Sequence, residues 1–199
     1  MHLVTMGLLK GCSMKKQTIR QELLGIIRKD AFFKKKVVLS SGKVSNYYVD
    51  VRRISLSSRG IYLTSRLIWD IVKKEKATAF GGPTLGADPI VAGVCLLAAQ
   101  EGKTLKGFII RKEPKKHGRQ NLIEGKELSK KDKIIIVDDT ATSGSSLIKS
   151  IEALKQSGLK PFKAIAVVDR EEGARDNLAK LNCPLISLFK AGEIVDFSG

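Results

Sequence analysis

The sequence predicts an α/β domain with a central, mostly parallel sheet flanked by helices. From residue 78 to residue 189, short β-branched runs alternate with amphipathic segments, which is the pattern of parallel strands joined by helical crossovers. The clearest strand covers residues 134–137, where four consecutive apolar residues indicate burial on both faces of a sheet. The apolar residues that follow have the spacing of a buried helical stripe: Leu147, Ile148, Ile151 and Leu154.

Two helices and a small β-structure are predicted before residue 78. Apolar residues at helical spacing indicate a helix between residues 15 and 29. Residues 37–39 and 47–51 have the composition of two strands joined by a Ser-Gly turn. A longer helix begins at Ser57 or Ser58, because either side chain can cap it.

The remaining elements alternate regularly along the chain. We predict strands at residues 78–80, 107–110, 164–168 and 185–189, and helices at residues 90–99 and 173–181. The sequence contains no internal repeat and no low-complexity linker, and 199 residues suffice for one domain with a proper core. We therefore expect a single domain over residues 14–199, with residues 1–13 as a disordered N-terminal extension.

Composition limits the classes of function. Hydrophobic residues make up 43% of the chain, as in globular proteins, and no apolar run has the length of a membrane span. Cys12, Cys95 and Cys183 are widely spaced, which argues against a disulfide framework or zinc site and predicts a cytoplasmic protein. The formal net charge of +16 suits nucleic acid, an acidic membrane surface or a polyanionic small substrate.

The loop after the strand at residues 134–137 combines two kinds of ligand-binding group. Backbone N–H groups at the start of a helix suit a phosphate, and Gly144 permits its close approach. Asp138 and Asp139 are acceptors, suited to sugar hydroxyls or to a hydrated Mg²⁺. This combination indicates a phosphorylated sugar with a metal. The alternative is that the two aspartates only end a strand.

A polar and strongly basic segment covers residues 111–133 between two predicted buried strands. It is too polar to pack and too long for a tight turn. One interpretation is a solvated surface loop with a short hairpin at Leu122 and Ile123. The other is a mobile lid, whose Arg and Lys side chains close over a polyphosphate.

A family resemblance follows from these motifs. The segment VDDTATSGSS resembles the phosphoribosyl diphosphate (PRPP) binding motif of the type I phosphoribosyltransferases. Four further segments look like orotate phosphoribosyltransferase, and with the motif they cover most of residues 17–194: LSSGKVSNYYVDVRR, GGPTLGADPI, IIRKEPKKHGRQNLIEG and VVDREEGARDNL. The resemblance implies a type I phosphoribosyltransferase fold with a small N-terminal hood and a mobile basic loop. It also implies transfer of 5-phosphoribosyl from PRPP to orotate, giving orotidine 5′-phosphate and diphosphate in de novo pyrimidine (UMP) biosynthesis.

The resemblance assigns roles to individual residues. Those implied to bind PRPP are Arg111, Lys112, Lys115, His117, Asp138, Asp139, Thr140, Ala141, Thr142, Ser143, Gly144, Ser145 and Ser146. Catalysis would depend on Lys115, His117, Asp138 and Asp139, and orotate would contact Tyr48, Val49, Thr142 and Arg170. The cofactor Mg²⁺ would be held mainly through PRPP, with Asp138 and Asp139 reaching it through water. The protein would be a homodimer with shared active sites.

The chain departs from many bacterial relatives at two places. Ser40 stands where they carry a lysine before the Ser-Gly turn, and Leu85 and Gly86 stand where they carry Tyr-Lys in the loop for diphosphate. We therefore expect no direct charge contact from that loop. Its place could be taken by backbone amides around Gly86, or by Lys43 or Arg52.

Two alternative functions remain open on the sequence. One is a phosphoribosyltransferase that acts on a purine or uracil, and the other is a PRPP-responsive regulator that binds nucleic acid on the same fold. The four segments outside the shared motif favour orotate. Basic residues are concentrated in the predicted lid, and no helix-turn-helix is evident, so nucleic acid is not expected as a partner.

Overall fold

A computed structural model describes residues 16–38, 44–113 and 122–195. The strands, in chain order, are β1 (Phe32–Phe33), β2 (Val37–Val38), β3 (Val44–Ser45), β4 (Tyr48–Val49), β5 (Ala79–Pro83), β6 (Lys106–Ile110), β7 (Ile123–Gly125), β8 (Ile134–Ala141), β9 (Pro161–Asp169) and β10 (Leu185–Lys190). The helices are α1 (Lys16–Ile26), α2 (Arg52–Ser55), α3 (Ser58–Lys74), α4 (Asp88–Gln100), α5 (Ser145–Gln156), α6 (Ala174–Ala179) and α7 (Ala191–Ile194), and a π-helical turn (Ile27–Ala31) follows α1.

The central sheet has six strands in the order β10-β9-β8-β5-β6-β7. Five of them are mutually parallel, and β7 pairs antiparallel with β6 at one edge. The predicted mostly parallel sheet is therefore confirmed. The strand order reverses between β5 and β8, and in open α/β sheets such a switch point is where ligands bind, outside the carboxyl ends of the strands.

Helices cover both faces of the sheet, and β8 shows why its sequence is apolar throughout. Ile135 and Val137 belong to the core formed with α1, α3 and α4. Ile134 and Ile136 belong to the core formed with α5 and α6. Successive strand residues point to opposite faces, so a strand between two helical layers needs a continuous apolar run.

The N-terminal hood contains two separate two-stranded sheets. The expected pairing of residues 37–39 with residues 47–51 was wrong: β2 pairs with β3, and β4 pairs with β1. The physical reason is burial, because Val49 on β4 is only 3% exposed and belongs to the main core. Pairing with β1 holds that side chain over the sheet, and the Phe32 and Tyr47 rings pack with centroids 6.0 Å apart.

Several element boundaries differ from the sequence prediction. β8 continues to Ala141 and therefore includes both aspartates, because residues 138–141 keep pairing with β9. The short helix α2 was not predicted. The start of α3 is as expected, since the Ser57 hydroxyl accepts a hydrogen bond from the Gly60 N–H at 3.2 Å. Among residues 16–38, 44–113 and 122–195, no helix is both long enough and apolar enough to cross a membrane.

Asp132 connects the loops at the amino-terminal edge of the sheet. Its carboxylate accepts hydrogen bonds from the Lys106 ammonium at 2.8 Å, the Ser129 N–H at 2.7 Å and the Thr78 hydroxyl at 2.9 Å. These bonds, that from Lys106 foremost, hold the pKa of Asp132 well below its usual range. A carboxyl with a depressed folded-state pKa stabilises the fold above its unfolded-state pKa, and this contribution is lost as the pH falls.

We predict that Asp132→Asn lowers the free energy of unfolding by about 2 kcal/mol at neutral pH, because charged hydrogen bonds are lost. The difference from the parent protein should shrink as the pH falls below about 4, where the unfolded-state carboxyl is protonated. Urea unfolding at several pH values measures both effects. Asp30→Asn, at an exposed carboxylate, is the matched control. Equal losses in the two variants would contradict the prediction.

Candidate active site

A cavity of about 600 Å³ lies at the carboxyl ends of β5 and β8, beneath the N-terminal hood. The hood contributes one wall, and the loops after β5, β8 and β9 contribute the others. Its lining residues are Lys35, Val37, Tyr48, Val49, Asp50, Val51, Arg52, Pro83, Thr84, Leu85, Gly86, Lys112, Asp138, Asp139, Thr140, Thr142, Ser146 and Arg170. The cavity therefore occupies the topological switch point of the sheet.

The two aspartates face different parts of this cavity because they are consecutive residues of a strand. Asp138 also lines a smaller hollow of about 40 Å³ that is enclosed by residues 140–147. Asp139 lies against Gly86 on the side of the hood. The Asp139 N–H donates to the Asp138 carboxylate at 2.9 Å. The pair therefore presents acceptors in two directions, which suits a ligand that passes between them.

Burial makes the negative charge of both aspartates costly. Burial raises the pKa of Asp138, and the neighbouring charge of Asp139 raises it further. Burial also raises the pKa of Asp139, although the Thr140 N–H and the Arg52 guanidinium act in the opposite direction. A cation or a set of hydroxyl donors in the cavity would compensate these charges.

Two hydrogen bonds connect the loop after β8 to α6. The Thr142 carbonyl accepts from the Ala174 N–H at 3.1 Å, and the Ser143 carbonyl accepts from the Asn177 amide at 3.0 Å. Gly144 has a φ of 80°, a left-handed conformation that favours glycine, and α5 begins directly after it. Two carbonyl groups of the loop are therefore bonded to α6, and the N-terminus of α5 lies at the smaller hollow. Free N–H groups at a helix N-terminus suit a phosphate.

Arg170 forms the floor of the cavity on the side of the hood. Its side chain is only 2% exposed, and its Nε donates to the Glu172 carboxylate at 3.0 Å. Nη2 donates to the Ser45 hydroxyl at 2.9 Å, and the guanidinium lies 4.5 Å from the centroid of the Tyr47 ring. The guanidinium also lines the cavity, where its planar group of donors can receive a ligand carboxylate.

Arg52 contributes positive charge to the wall beside Asp139. Its Nε donates to the Asp50 carboxylate at 3.0 Å, and its Nη2 reaches the Tyr48 hydroxyl at 3.4 Å. Lys35 and Lys112 line the same cavity. Lys35 is the middle residue of a run of three lysines at positions 34–36. Its place on the cavity wall adds a cation that sequence reasoning missed.

Gly86 has no room for a side chain. A Cβ atom at this position would lie 2.7 Å from Cγ and 2.8 Å from Oδ2 of Asp139. A lysine could therefore not replace Gly86 without displacing the Asp139 carboxylate. The loop after β5 packs so closely against Asp139 of strand β8 that only glycine fits at this position without a shift.

The segment predicted to form either a surface loop or a lid lies only partly within the described residues. Lys112 lines the main cavity, whereas Arg111 lines a neighbouring hollow of about 380 Å³ together with Lys149. Arg111 also lies 3.7 Å from the Glu124 carboxylate of β7. The predicted catalytic residues Lys115 and His117 lie outside the described residues, as do Ser40, Lys43 and residues 1–13.

The structure brings most of the remaining predicted residues together. Those that line the main cavity are Tyr48, Val49, Lys112, Asp138, Asp139, Thr140, Thr142, Ser146 and Arg170. Those confined to the smaller hollow are Ala141, Ser143, Gly144 and Ser145.

Comparisons with known proteins identify the family of the chain. A family model for the phosphoribosyl transferase domain matches residues 66–194. The orotate phosphoribosyltransferase of Aquifex aeolicus is 42% identical over 157 residues, which are 79% of this chain and 85% of that protein. The enzyme of the same name from Tropheryma whipplei (strain Twist) is 35% identical over 181 residues, which are 90% and 84%.

A solved structure gives the same result. The Mycobacterium tuberculosis H37Rv orotate phosphoribosyltransferase, in complex with PRPP, aligns with a TM-score of 0.73 and 30% sequence identity, over 88% of this chain and 98% of that one. The chain belongs to the orotate phosphoribosyltransferase family.

Sequence reasoning missed the residues that form hydrogen bonds to the side chains and loops lining the cavity. Ser45 and Glu172 orient Arg170, and Asn177 holds the loop after β8. Ser45 and Arg170 are 125 residues apart in sequence, so no local pattern connects them. Glu172 could have been found, because a carboxylate two residues after a buried arginine is a natural partner.

We predict that Gly86→Ala lowers the affinity for PRPP by about tenfold, because overpacking a well-packed site costs about 1–3 kcal/mol. Titration calorimetry with PRPP and Mg²⁺ measures the loss. Gly25→Ala in α1 is the control, since a Cβ there meets no atom within 4 Å. It should leave PRPP affinity unchanged. Unaltered PRPP affinity in Gly86→Ala would show that Asp139 adapts freely.

Proposed function

We propose that this protein is an orotate phosphoribosyltransferase that transfers 5-phosphoribosyl from PRPP to orotate, giving orotidine 5′-phosphate and diphosphate. The observation that carries the proposal is one cavity that combines a phosphate-binding loop, two aspartates and a buried arginine. This set matches a sugar phosphate at one end and an anionic base at the other. The reaction belongs to de novo pyrimidine (UMP) biosynthesis.

PRPP would lie with its 5-phosphate at the smaller hollow. Residues 140–146 would bind that phosphate through backbone N–H groups and hydroxyls. Asp138 and Asp139 would accept hydrogen bonds from the ribose hydroxyls, which relieves the cost of their burial. The diphosphate would then extend past Gly86 towards Arg52, Lys35 and Lys112.

Orotate would lie between the hood and the ribose. Its carboxylate would pair with the guanidinium of Arg170, which Glu172 and Ser45 hold in a fixed orientation. Tyr48, Val49 and Thr142 would contact the ring. An arginine that is already fixed loses little conformational freedom when the base binds.

Glycosyl transfer from PRPP is expected to pass through a cationic, ribose-centred transition state, which needs little nucleophilic machinery. The protein must instead align the two substrates and neutralise the leaving diphosphate. The aspartates lie where they would stabilise positive charge on the ribose. Lys115 and His117 of the lid would stabilise the diphosphate as it leaves, beside Arg111 and Lys112.

Mg²⁺ is the proposed cofactor. Among the described residues, no group of three or more His, Cys, Asp or Glu side chains could hold a metal ion alone. Two adjacent carboxylates whose pKa values are raised by desolvation fit a cation that is held mainly by the phosphates of the substrate and reaches Asp138 and Asp139 through water. The metal would neutralise the diphosphate.

We also propose that the protein is a cytoplasmic homodimer in which the lid of one subunit closes over the cavity of its partner. The position of Arg111 supports a shared site, because this lid residue faces a neighbouring hollow rather than its own main cavity. Closure of the lid would exclude water from the reaction.

The purified protein should consume orotate, followed by its absorbance, only when PRPP and Mg²⁺ are both present. Chelation of the metal with EDTA should abolish turnover, and added Mg²⁺ should restore it. Arg170→Met should lower kcat/KM for orotate about a hundredfold, because a charged hydrogen bond to the carboxylate contributes about 3 kcal/mol. Turnover with a purine or uracil in place of orotate would reassign the substrate. No turnover with any base would reject the proposal.

The shared site can be tested by co-expressing Lys115→Ala with Asp138→Asn. In mixed dimers one site receives both changes and the other receives neither. Activity should therefore recover to about one quarter of the parent value if the subunits assort at random. Each variant expressed alone is the control. Mixed dimers without recovered activity would show that each lid serves its own subunit.

A further inference from the structure

The amino-terminal edge of the central sheet lies opposite the cavity and carries a second charged surface. Four neighbouring strands, β9, β8, β5 and β6, begin there side by side: Ile134 pairs with Pro161 and Ala79, and Ala79 pairs with Lys106. The segments that enter these strands are residues 73–78, 101–106, 129–133 and 155–163. We call their surface the lysine edge.

The lysine edge has a large excess of positive charge. Its four segments contain eleven lysines, no arginine and three acidic residues. The lysines are Lys73, Lys74, Lys76, Lys103, Lys106, Lys130, Lys131, Lys133, Lys155, Lys160 and Lys163. The excess of eight charges is half of the formal net charge of +16 for the chain.

Each acidic residue of the edge is already paired. Asp132 binds Lys106 at 2.8 Å, Glu101 binds Lys73 at 2.9 Å, and Glu75 forms an ion pair with Lys163. The lysines without an ion-pair partner among the described residues are all exposed: Lys74, Lys76, Lys103, Lys130, Lys131, Lys133, Lys155 and Lys160. The edge therefore presents uncompensated charge to solvent.

Helix dipoles account for only part of this charge. Lys74 and Lys155 lie in the last turns of α3 and α5, where cations are favoured. The other exposed lysines, such as Lys103, Lys131 and Lys160, lie in turns outside these helices. Clustering them lowers stability through repulsion, so folding does not explain their position.

We propose that the lysine edge binds the phosphate backbone of nucleic acid without sequence specificity. Adjacent strands are about 4.8 Å apart, so the four strand starts span about 15 Å, enough for several phosphates of a duplex. None of the exposed large hydrophobic residues, which are Val44, Leu56, Tyr62, Leu85 and Leu96, lies in the edge segments. The described surface thus lacks the apolar groups that would enter a membrane, and it lacks arginines that would read bases.

The experiment measures binding of a fluorescein-labelled 20-base-pair duplex by anisotropy at several salt concentrations. The edge variant changes Lys103, Lys130, Lys131 and Lys160 to Gln. The control variant changes Lys16, Lys29, Lys34 and Lys36 to Gln, four exposed lysines of the N-terminal region, and alters the net charge equally. Mg²⁺ and PRPP are added in a parallel series, to separate the edge from the substrate cavity.

Binding to the parent protein should weaken steeply with salt, and saturating PRPP should not displace the duplex. The edge variant should lose at least about tenfold in affinity and its salt slope should fall by about 3, since each phosphate contact contributes about 0.9. The control variant should keep most of its affinity, and the edge variant should keep orotate turnover. Equal losses in both variants, displacement by PRPP, or no binding of the duplex to the parent protein would each overturn the proposal.

Discussion

The parallel pairing of β5 with β8 is the constraint on which the cavity depends. These strands are distant in sequence, yet Gly81 lies beside Ile136, and both strands end at the same edge of the sheet. The loop after β5 can approach Asp139 closely only because Gly86 has no side chain. The loop after β5 and the two aspartates of β8 are therefore a single packed unit. A substitution at Gly86 therefore displaces Asp139, and a shift of Asp139 alters the loop after β5.

Buried charge is the second organising feature. Asp138 and Arg170 are buried at the cavity and Asp139 is half-buried there, and an unpaired charge is costly in such positions. Glu172 balances Arg170 in the absence of substrate, whereas Arg52 only partly balances Asp139. The acidic centre is thus the less satisfied part of the site. The proposed substrate, with its hydroxyls and a metal, would complete it, which would explain why residues so unfavourable for folding are placed there.

The sequence allowed prediction of the α/β architecture and of the residues around VDDTATSGSS, because both depend on local patterns. The apolar run of β8, the turn after it and the apolar stripe of α5 all lie within residues 133–157. The pairing of β4 with β1 was not predictable, since a short strand carries no signal for its partner. The Ser45–Arg170 contact and the fit of Gly86 against Asp139 also depend on residues brought together only by the fold. The residues that line the site could thus be predicted from local motifs, whereas the contacts that position them could not.

The polarity of a parallel sheet gives the molecule two different ends. At the carboxyl edge, α5 begins beside the smaller hollow, and its dipole adds positive potential to a site that also contains carboxylates. At the amino-terminal edge, α3 and α5 end with negative potential, and lysines exceed what that potential requires. Because every crossover returns the chain to this edge, short polar loops collect there and can accumulate charge without disturbing the cavity. The same topology that concentrates chemistry at one end leaves the other free for a second interaction.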